Sequence, residues 1–480
     1  MIHTAETAAP TGSAPAWPPV YDPSYRPPND APYWDRARET MSEDERNALI
    51  LGKIQAVMAW AYERAPFYRE RWRAAGLEPG DVKSLDDFSR VPTISKADLR
   101  ADQAANPPFG SYLCVDPREI YHVHGTSGTS GRPTAFAWSR DDYDRIAEAH
   151  ARIMWNFGLR PSDMVFVGSI FSLYVGSWGA LAGIERLGAA AFPFGAGVPG
   201  MTLQAVSWMQ QMKPTGFYGT PSYALRIAET ARAEGVDPRE LGLRIMFFSG
   251  EPGAGIPATK RLIEETFGAI CIDSGSMGEV TPWMNITECS HRTGMHLWQD
   301  IVYAELLDPQ TMRPLPYGAT GTPVYTQLER RGQPMIRLVS GDQAEWTNDP
   351  CPCGRTYPRF PRGIIGRIDD MLVIRGENIY PSAIEDVLHA FPEFGTEFEI
   401  VVTRPKALDE LTVRAELAAP CDETALREPV GAQLKRQLVI RADIAFAAAG
   451  TLTRSDLKSR SSETSVRRGR QHALHALSLK

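Results

Sequence analysis

The chain has 480 residues, 43% of them hydrophobic and 23% charged, with a formal net charge of −7. That length predicts two or more domains, and the mildly acidic balance argues against a protein that holds nucleic acid by bulk electrostatics. No run of about 18 apolar residues suggests a membrane helix, the opening MIHTAETAAPTG lacks the basic and apolar parts of a secretion signal, and 6 cysteines in so long a chain do not make a disulfide framework. A reducing, cytoplasmic setting is expected.

Residues 1–32 are rich in Pro, Ala and Ser and predict an extended arm that lies on the surface or is disordered. From 44 to 75 the pattern turns helical, with Leu49, Ile50, Ile54, Val57 and Met58 near a helical period and APFYRERW continuing it. The segment PTISKAD (92–98) predicts a loop capped by Ser95 ahead of a short helix. A strand at 120–124 then feeds GTSGTSGRPT (125–134).

This stretch holds three glycines and five hydroxyl side chains, with no bulky apolar group. Buried in a core it would strand its own backbone polar groups. Glycines allow close approach and positive φ, successive N–H groups form an anion-binding concavity, and Arg132 adds a forked cation that matches phosphate oxygens. A phosphate guest is expected, with a flexible Gly/Ser linker as the alternative. The P-loop pattern does not apply, because Gly125 to Gly131 is one residue too long and Arg132-Pro133 stands where Lys-Ser/Thr is required.

After the loop, 135–138 reads as extended and 139–158 as a helix stopped by Gly158, an arrangement suited to holding the loop at the edge of a sheet. Strands at 164–168, 215–218, 243–248 and 269–273 alternate with helical segments such as 175–187, which predicts helix-covered sheets. Three of these strands end in glycine-containing polar turns: GTPSYAL, SGEPG and SGSMGE. Ligands of open α/β sheets bind at the carboxyl ends of strands, so these turns are expected to converge on one cleft. Residues 303–346 read as strand-rich. Pro381 opens an amphipathic helix carrying Ile384, Val387, Leu388 and Phe391, which Pro392 ends. Strands at 398–403 and 411–417 follow, then a helix over 423–439 and a basic tail after 459 that is expected to fray. The fold class is α/β (mixed α+β). A Pro-rich arm (1–32) precedes a large domain of helix-covered sheets (33–366) and a small, mobile α+β C-terminal domain (367–480), with the boundary near 366–370.

Six motifs fall in one order: GTSGTSGRPT (125–134), GTPSYAL (219–225), SGEPG (249–253), SGDQ (340–343), GRIDDMLVIRGENIYPSAIE (366–385) and GTLTRSDLK (450–458). As a set they resemble the adenylate-forming acyl-CoA ligases, in the phenylacetate–CoA ligase branch, over about residues 45–460. The resemblance implies a two-step reaction. A carboxylate attacks the α-phosphate of ATP to give an acyl-adenylate and pyrophosphate, and the CoA thiol then displaces AMP. The small domain rotates between the steps.

The resemblance also assigns residues. Thr126, Ser127, Gly128, Thr129, Ser130, Gly131 and Arg132 would hold the β- and γ-phosphates, with Arg132 where relatives usually have Lys. Glu279 would hold Mg²⁺, Asp342 would accept from the ribose hydroxyls, and Ser249, Gly250, Glu251 and Pro252 would wall the adenine, with Asp273 and Ser274 also counted among the nucleotide contacts. Arg367 would lie by the ribose or phosphate, Asp369 would be the hinge, and Lys458 would reach the α-phosphate during adenylation. Gly376 matches the turn that approaches the pantetheine channel. Taken singly, Glu279 reads equally as a solvated carboxylate, Asp342 as a turn cap and Lys458 as a surface lysine; their place in the ordered set gives them their roles. Relatives carry an aromatic and a Ser/Thr just before the magnesium Glu. Here the stretch is Gly275-Ser276-Met277-Gly278-Glu279, which lacks both at those positions, and Ser274 or Ser276 is the candidate substitute.

Cys351-Pro352-Cys353-Gly354 is a metal-type hairpin, with Cys289, His291 and His296 upstream. Three thiolates and one imidazole satisfy the four-coordinate preference of structural Zn²⁺. The resemblance favours His296 over His291 as fourth ligand; the alternative is a set of reduced thiols. The acid pocket implied by the family is bounded by 171–180, 217–223 and 274–284. Tyr174, Trp178, Tyr218, Gly219, Ser276, Met277 and Trp283 are its candidate contacts. Their aromatic rings would wall a flat aryl or arylacetic acid, the favoured class. Equally, they would fill space and leave room for a small branched or hydroxylated acid of the 2-hydroxyisobutyrate type. Expected partners are the acid, ATP and CoA, with no nucleic acid or membrane and a homodimer as one option. A biosynthetic adenylating enzyme that uses another acceptor, or a non-catalytic nucleotide-binding protein, are the competing classes.

Overall fold

The computed structural model describes residues 17–125, 134–196, 200–281, 284–368, 370–375, 377–403, 409–452 and 465–467. The phosphate-loop residues Thr126 to Arg132, together with Trp283, Asp369, Gly376 and Lys458, lie outside the described residues.

The strands Met164–Val167, Gly216–Gly219, Ile245–Phe248 and Ile270–Gly275 run parallel side by side, with Ala190–Phe192 parallel at one edge. Their short apolar runs are what strands covered on both faces require: all four residues of Ile245–Phe248 and of Gly216–Gly219 are buried. The crossover helices Val175–Leu187, Met201–Met212, Pro221–Ala233 and Pro257–Phe267 supply the covering layers. Beyond Ile270–Gly275 the sheet continues antiparallel through Ile286–Glu288, Met295–Leu297 and Arg359–Phe360. A second sheet joins Val302–Leu307, Thr320–Gln327, Asp342–Glu345 and Ile364–Arg367 in that order, with Leu338–Val339 paired to Thr320–Gln327. The strand-rich reading of 303–346 matches this sheet.

The strands flanking the predicted phosphate loop differ from the expectation. Ile120–Gly125 and Ala135–Ser139 pair antiparallel as a two-stranded ribbon of their own, with Gly125 opposite Ala135. The predicted helix over 44–75 is two helices, Glu43–Arg64 and Pro66–Ala74. Pro66 disfavours helical backbone at the residue before it, and Ala65 is extended at φ −110° and ψ 106°. The described part of the N-terminal arm runs over the surface and is anchored there. Trp17 Nε1 donates to Leu328 O at 2.7 Å, the Tyr21 hydroxyl to Glu329 at 2.9 Å, and Arg26 Nε to Leu187 O at 3.2 Å.

A separate apolar cluster spans Ile374 to Ile444, built on Ile384, Val387, Ile400, Val413, Val430 and Leu434. Its sheet orders Ala442–Ala447, Glu410–Leu417, Phe394–Thr403 and Ser465–Arg467, packed by the helices Pro381–Leu388 and Glu423–Leu438. The strand Ala442–Ala447 adds to the two predicted ones. The first of these helices meets the large sheet's covering helix Pro257–Phe267, where Ala258 N–H donates to Asp386 Oδ1 at 2.9 Å.

Candidate active site

The carboxyl ends of the parallel strands carry the predicted turns. Ser249 follows Ile245–Phe248, and its Oγ lies 2.9 Å from the Tyr218 hydroxyl on the neighbouring strand. Tyr174 hydrogen-bonds the same two side chains, so three hydroxyls meet at one point. Burial raises the Tyr218 phenol well above its usual value and keeps it neutral, a donor as well as an acceptor. The Tyr174 ring folds back over Gly176, where any Cβ would stand 2.7 Å from the ring. Trp178 stands beside this group, edge-on to Phe171 at 5.4 Å between centroids and tilted against His122 at 5.7 Å. Gly219 sits so close to the preceding strand that a Cβ would fall 3.0 Å from the Gly168 carbonyl oxygen.

Gly250 takes φ +96°, the left-handed region that glycine tolerates without strain. It turns the chain so that the Glu251 carboxylate accepts from Ser222 N–H at 2.6 Å, locking two of the three turns together. Ser274 Oγ donates to the Phe248 carbonyl at 2.6 Å. Asp273 lies deeper. It faces Glu288, which bonds its N–H at 2.8 Å, and Lys260, whose ammonium is 2.5 Å from Glu288. Burial, then the Glu288 charge, pushes the Asp273 carboxyl up to about 8.

The third turn is closed by Ser276 Oγ, 2.6 Å from Thr281 Oγ1, with Met277 packed into the core beneath it. This leaves Glu279 presented on a fixed backbone whose carbonyl accepts from Arg330 Nη1 at 2.9 Å. Only 3% of the Glu279 side chain is exposed, and Lys96 Nζ lies 3.3 Å from its Oε1. Sequence reasoning placed Lys96 only in a capped loop; nothing in that segment marks a site contact.

Asp342 and Arg367 are brought together by strand pairing. They are opposite one another in adjacent antiparallel strands, with Arg367 Nη1 3.5 Å from Asp342 Oδ1. Gly341, at φ +76°, lies beneath the Arg367 guanidinium. A carboxylate and a forked cation side by side can bind a diol and an adjoining phosphate.

The predicted metal residues also converge. Ligand atoms of Cys289, His296, Cys351 and Cys353 all lie within 4.8 Å of one another. Cys289 Sγ is 3.7 Å from Cys351 Sγ, and Cys353 Sγ is 3.5 Å from His296 Nε2. His291 is exposed and outside this group. The Tyr33 hydroxyl, just after the N-terminal arm, donates to Cys353 O at 3.1 Å. Among the described residues no helix is long and apolar enough to cross a membrane.

Residues 376–461 match the family described as "AMP-binding enzyme C-terminal domain". A phenylacetate-coenzyme A ligase of Thermus thermophilus is 35% identical over 406 residues, covering 84% of this chain and 88% of the relative. Among solved structures, a 2-hydroxyisobutyryl-CoA ligase in the postadenylation state, in complex with R3-HIB-AMP, is 53% identical with a TM-score of 0.90, covering 94% of this chain and 96% of that one. The same ligase in complex with 2-HIB-AMP and CoA in the thioesterification state gives a TM-score of 0.74 at 53% identity, over the same 94% and 96%. The chain belongs to the adenylate-forming acid–CoA ligases, in the phenylacetate–CoA ligase branch, and is an AMP-forming acyl-CoA synthetase.

Proposed function

We propose that this ligase activates a small branched or hydroxylated carboxylic acid of the 2-hydroxyisobutyrate type. The observation that carries this reading is the meeting of the Tyr174, Tyr218 and Ser249 hydroxyls where the acid pocket is expected. A buried cluster of hydroxyls that can bond a substrate hydroxyl favours acids that carry one over acids that lack it. The 53% identity to a 2-hydroxyisobutyryl-CoA ligase supports the same choice. The aryl class rests on Tyr174, Trp178, Tyr218 and Trp283 as an aromatic wall and on the names of the phenylacetate-CoA ligase relatives.

In the first step the acid's carboxylate oxygen bonds to the α-phosphorus and pyrophosphate departs. In the second the CoA sulfur bonds to the acyl carbon and AMP departs. Asp342 accepts from the ribose hydroxyls, Arg367 pairs with the adjoining phosphate, and Ser249 to Pro252 wall the base. The loop 126–132 holds the β- and γ-phosphates, and Lys458 reaches the α-phosphate. Glu279 is the carboxylate that would hold Mg²⁺, which would supply charge neutralisation on the triphosphate. The small domain turns about Asp369 between steps and brings Gly376 to the CoA channel. The TM-score of 0.90 against one ligase in the postadenylation state and 0.74 in the thioesterification state, at the same identity and coverage, supports a lid that changes orientation between steps.

The Cys/His cluster is read as a structural zinc site. A tetrahedral zinc with Zn–S of about 2.3 Å and Zn–N of about 2.0–2.1 Å separates its ligands by roughly 3.8 Å between sulfurs and about 3.5 Å from sulfur to nitrogen. The observed 3.7 and 3.5 Å fit. Free thiolates of this kind suit a reducing cytoplasm.

The test is a panel of acids with ATP and Mg²⁺, reading AMP with and without CoA. 2-Hydroxyisobutyrate is expected to exceed phenylacetate in kcat/KM by about tenfold or more. Phenylacetate as the better substrate overturns the acid assignment, and AMP release that ignores CoA overturns the acceptor.

A further inference from the structure

The backbone on either side of Lys96 is fixed by contacts of its neighbours. Ile94 N–H donates to Arg337 O and Val339 N–H to Ile94 O, each at 2.9 Å, so the segment lies along Leu338–Val339, just ahead of Asp342. Ser95 caps the helix Lys96–Ala105 by a reciprocal box with Asp98, and Asp98 pairs with Arg71 at 2.8 Å. The Lys96 ammonium crosses from this segment to Glu279 Oε1 at 3.3 Å. The two ends of the pair differ in burial: the lysine side chain is 34% exposed and the carboxylate 3%. The Glu279 backbone is held separately, by Arg330.

A lysine is also a poor choice for the first residue of a helix, where the dipole favours anions. Such local conflicts collect at functional sites. Here the ammonium presents positive charge to the carboxylate proposed to hold the metal–nucleotide.

We propose that Lys96 is a phosphate-binding residue of this active site, its ammonium paired with Glu279 and reaching the pyrophosphate portion of the bound nucleotide. The inference rests on the adenylating function proposed above. When the acid's oxygen bonds to the α-phosphorus, the bond to the bridging oxygen breaks and its electron pair stays with pyrophosphate. An ammonium fixed beside that group stabilises the added charge without moving a proton. The flexible four-carbon stem lets Lys96 follow the leaving group while its backbone stays still.

The full-length chain and its Lys96→Met, Lys96→Gln and Lys96→Arg variants should be titrated calorimetrically with ATP, inorganic pyrophosphate and AMP, each with Mg²⁺. Lys96→Met and Lys96→Gln are expected to bind ATP and pyrophosphate about tenfold or more weakly, with AMP affinity within about twofold of wild type and partial recovery in Lys96→Arg. Unchanged pyrophosphate and ATP affinity in a folded Lys96→Met or Lys96→Gln chain overturns the proposal and makes the pair structural. An equal loss for AMP overturns it too. A wild-type chain that binds none of the three overturns the adenylation reading itself, a separate result. Near-ultraviolet circular dichroism identifies a variant that has not folded, and the isosteric pair of neutral variants keeps one available for the measurement.

Discussion

Thr259 Oγ1 lies 2.6 Å from His389 Nδ1 and donates to Glu385 Oε1 at 3.1 Å, joining a covering helix of the large sheet to the first helix of the small unit. Burial first, then the Glu251 charge, pushes the Glu385 carboxyl up to about 8, with Asp386 and Glu397 adding to the same side. Burial pushes the His389 imidazole down to about 4. The docked contact therefore favours a protonated Glu385 and a neutral His389.

The signs of the two groups are opposite. A raised carboxyl contributes fully below its free value, near 4.3, and its contribution is lost as pH rises toward about 8. A lowered imidazole costs stability only as pH falls from about 6.5. Between about pH 6.5 and 8 only Glu385 changes, and docking weakens by up to about tenfold per pH unit. If release of this contact precedes thioester formation, single-turnover transfer of acyl-adenylate to CoA should gain rate with pH more steeply in wild type than in Glu385→Gln. Ionisation of the CoA thiol is common to both chains and cancels in the comparison. Parallel profiles would sink the coupling.

Tyr174→Phe removes one of three converging hydroxyls and leaves the ring over Gly176. The loss of a hydrogen bond to a neutral substrate hydroxyl is about 1 kcal/mol, and more where a buried partner is left unpaired. The ratio of kcat/KM for 2-hydroxyisobutyrate over isobutyrate should therefore fall by about fivefold or more. A ratio unchanged from wild type would show that this hydroxyl does not read the acid.

Much of the fold was legible because its signals are local. The runs MVFV and IMFF are short, uninterrupted and apolar, the mark of strands covered on both faces. The Cys-x-Cys hairpin announced two of the four cluster ligands. The strand Ala442–Ala447 gave little warning: Ile444 and Phe446 are its only bulky apolar side chains, and it is held by parallel pairing with Glu410–Leu417. The break between the two N-terminal helices was signalled by Pro66 alone. Nothing local in the sequence marked what Lys96 or Glu385 touches. Thr259 and Glu385 are 126 positions apart, and only the tertiary fold shows what either residue touches.

Metal analysis of the purified chain should find about one zinc per chain, and chelation should lower the melting temperature by several degrees. The cluster joins Cys289, the strand Met295–Leu297, the loop at 351–353 and, through a bond from Tyr33, the start of the large domain, so its loss frees several segments together. Cys351→Ser should reproduce the chelated behaviour and respond no further to chelator. A Cys351→Ser chain with wild-type melting and full metal content would remove the cluster as a metal site.

Asp300 accepts from Arg152 through two parallel bonds of 2.9 and 2.8 Å and from the Tyr357 hydroxyl at 2.7 Å, while Lys53 donates to its carbonyl at 2.6 Å. Burial alone would raise its carboxyl, but the Arg152 and Lys53 charges outweigh that and hold it well below the usual carboxylate range. Both members of the Arg152–Asp300 pair are almost wholly buried, at 4% and 0% side-chain exposure. Asp300→Asn keeps the shape and strands the guanidinium, which should cost about 3–5 kcal/mol. Replacing both members with apolar side chains should recover part of that loss, because the desolvation of the charges goes with them. The depressed carboxyl contributes stability above its free value, near 3.9, and that contribution is lost as pH falls through the folded value. Urea unfolding at neutral pH should show the full penalty in Asp300→Asn, and the gap to wild type should narrow below about pH 4. A gap that is constant with pH would mean that Asp300 is not the charged partner the geometry describes.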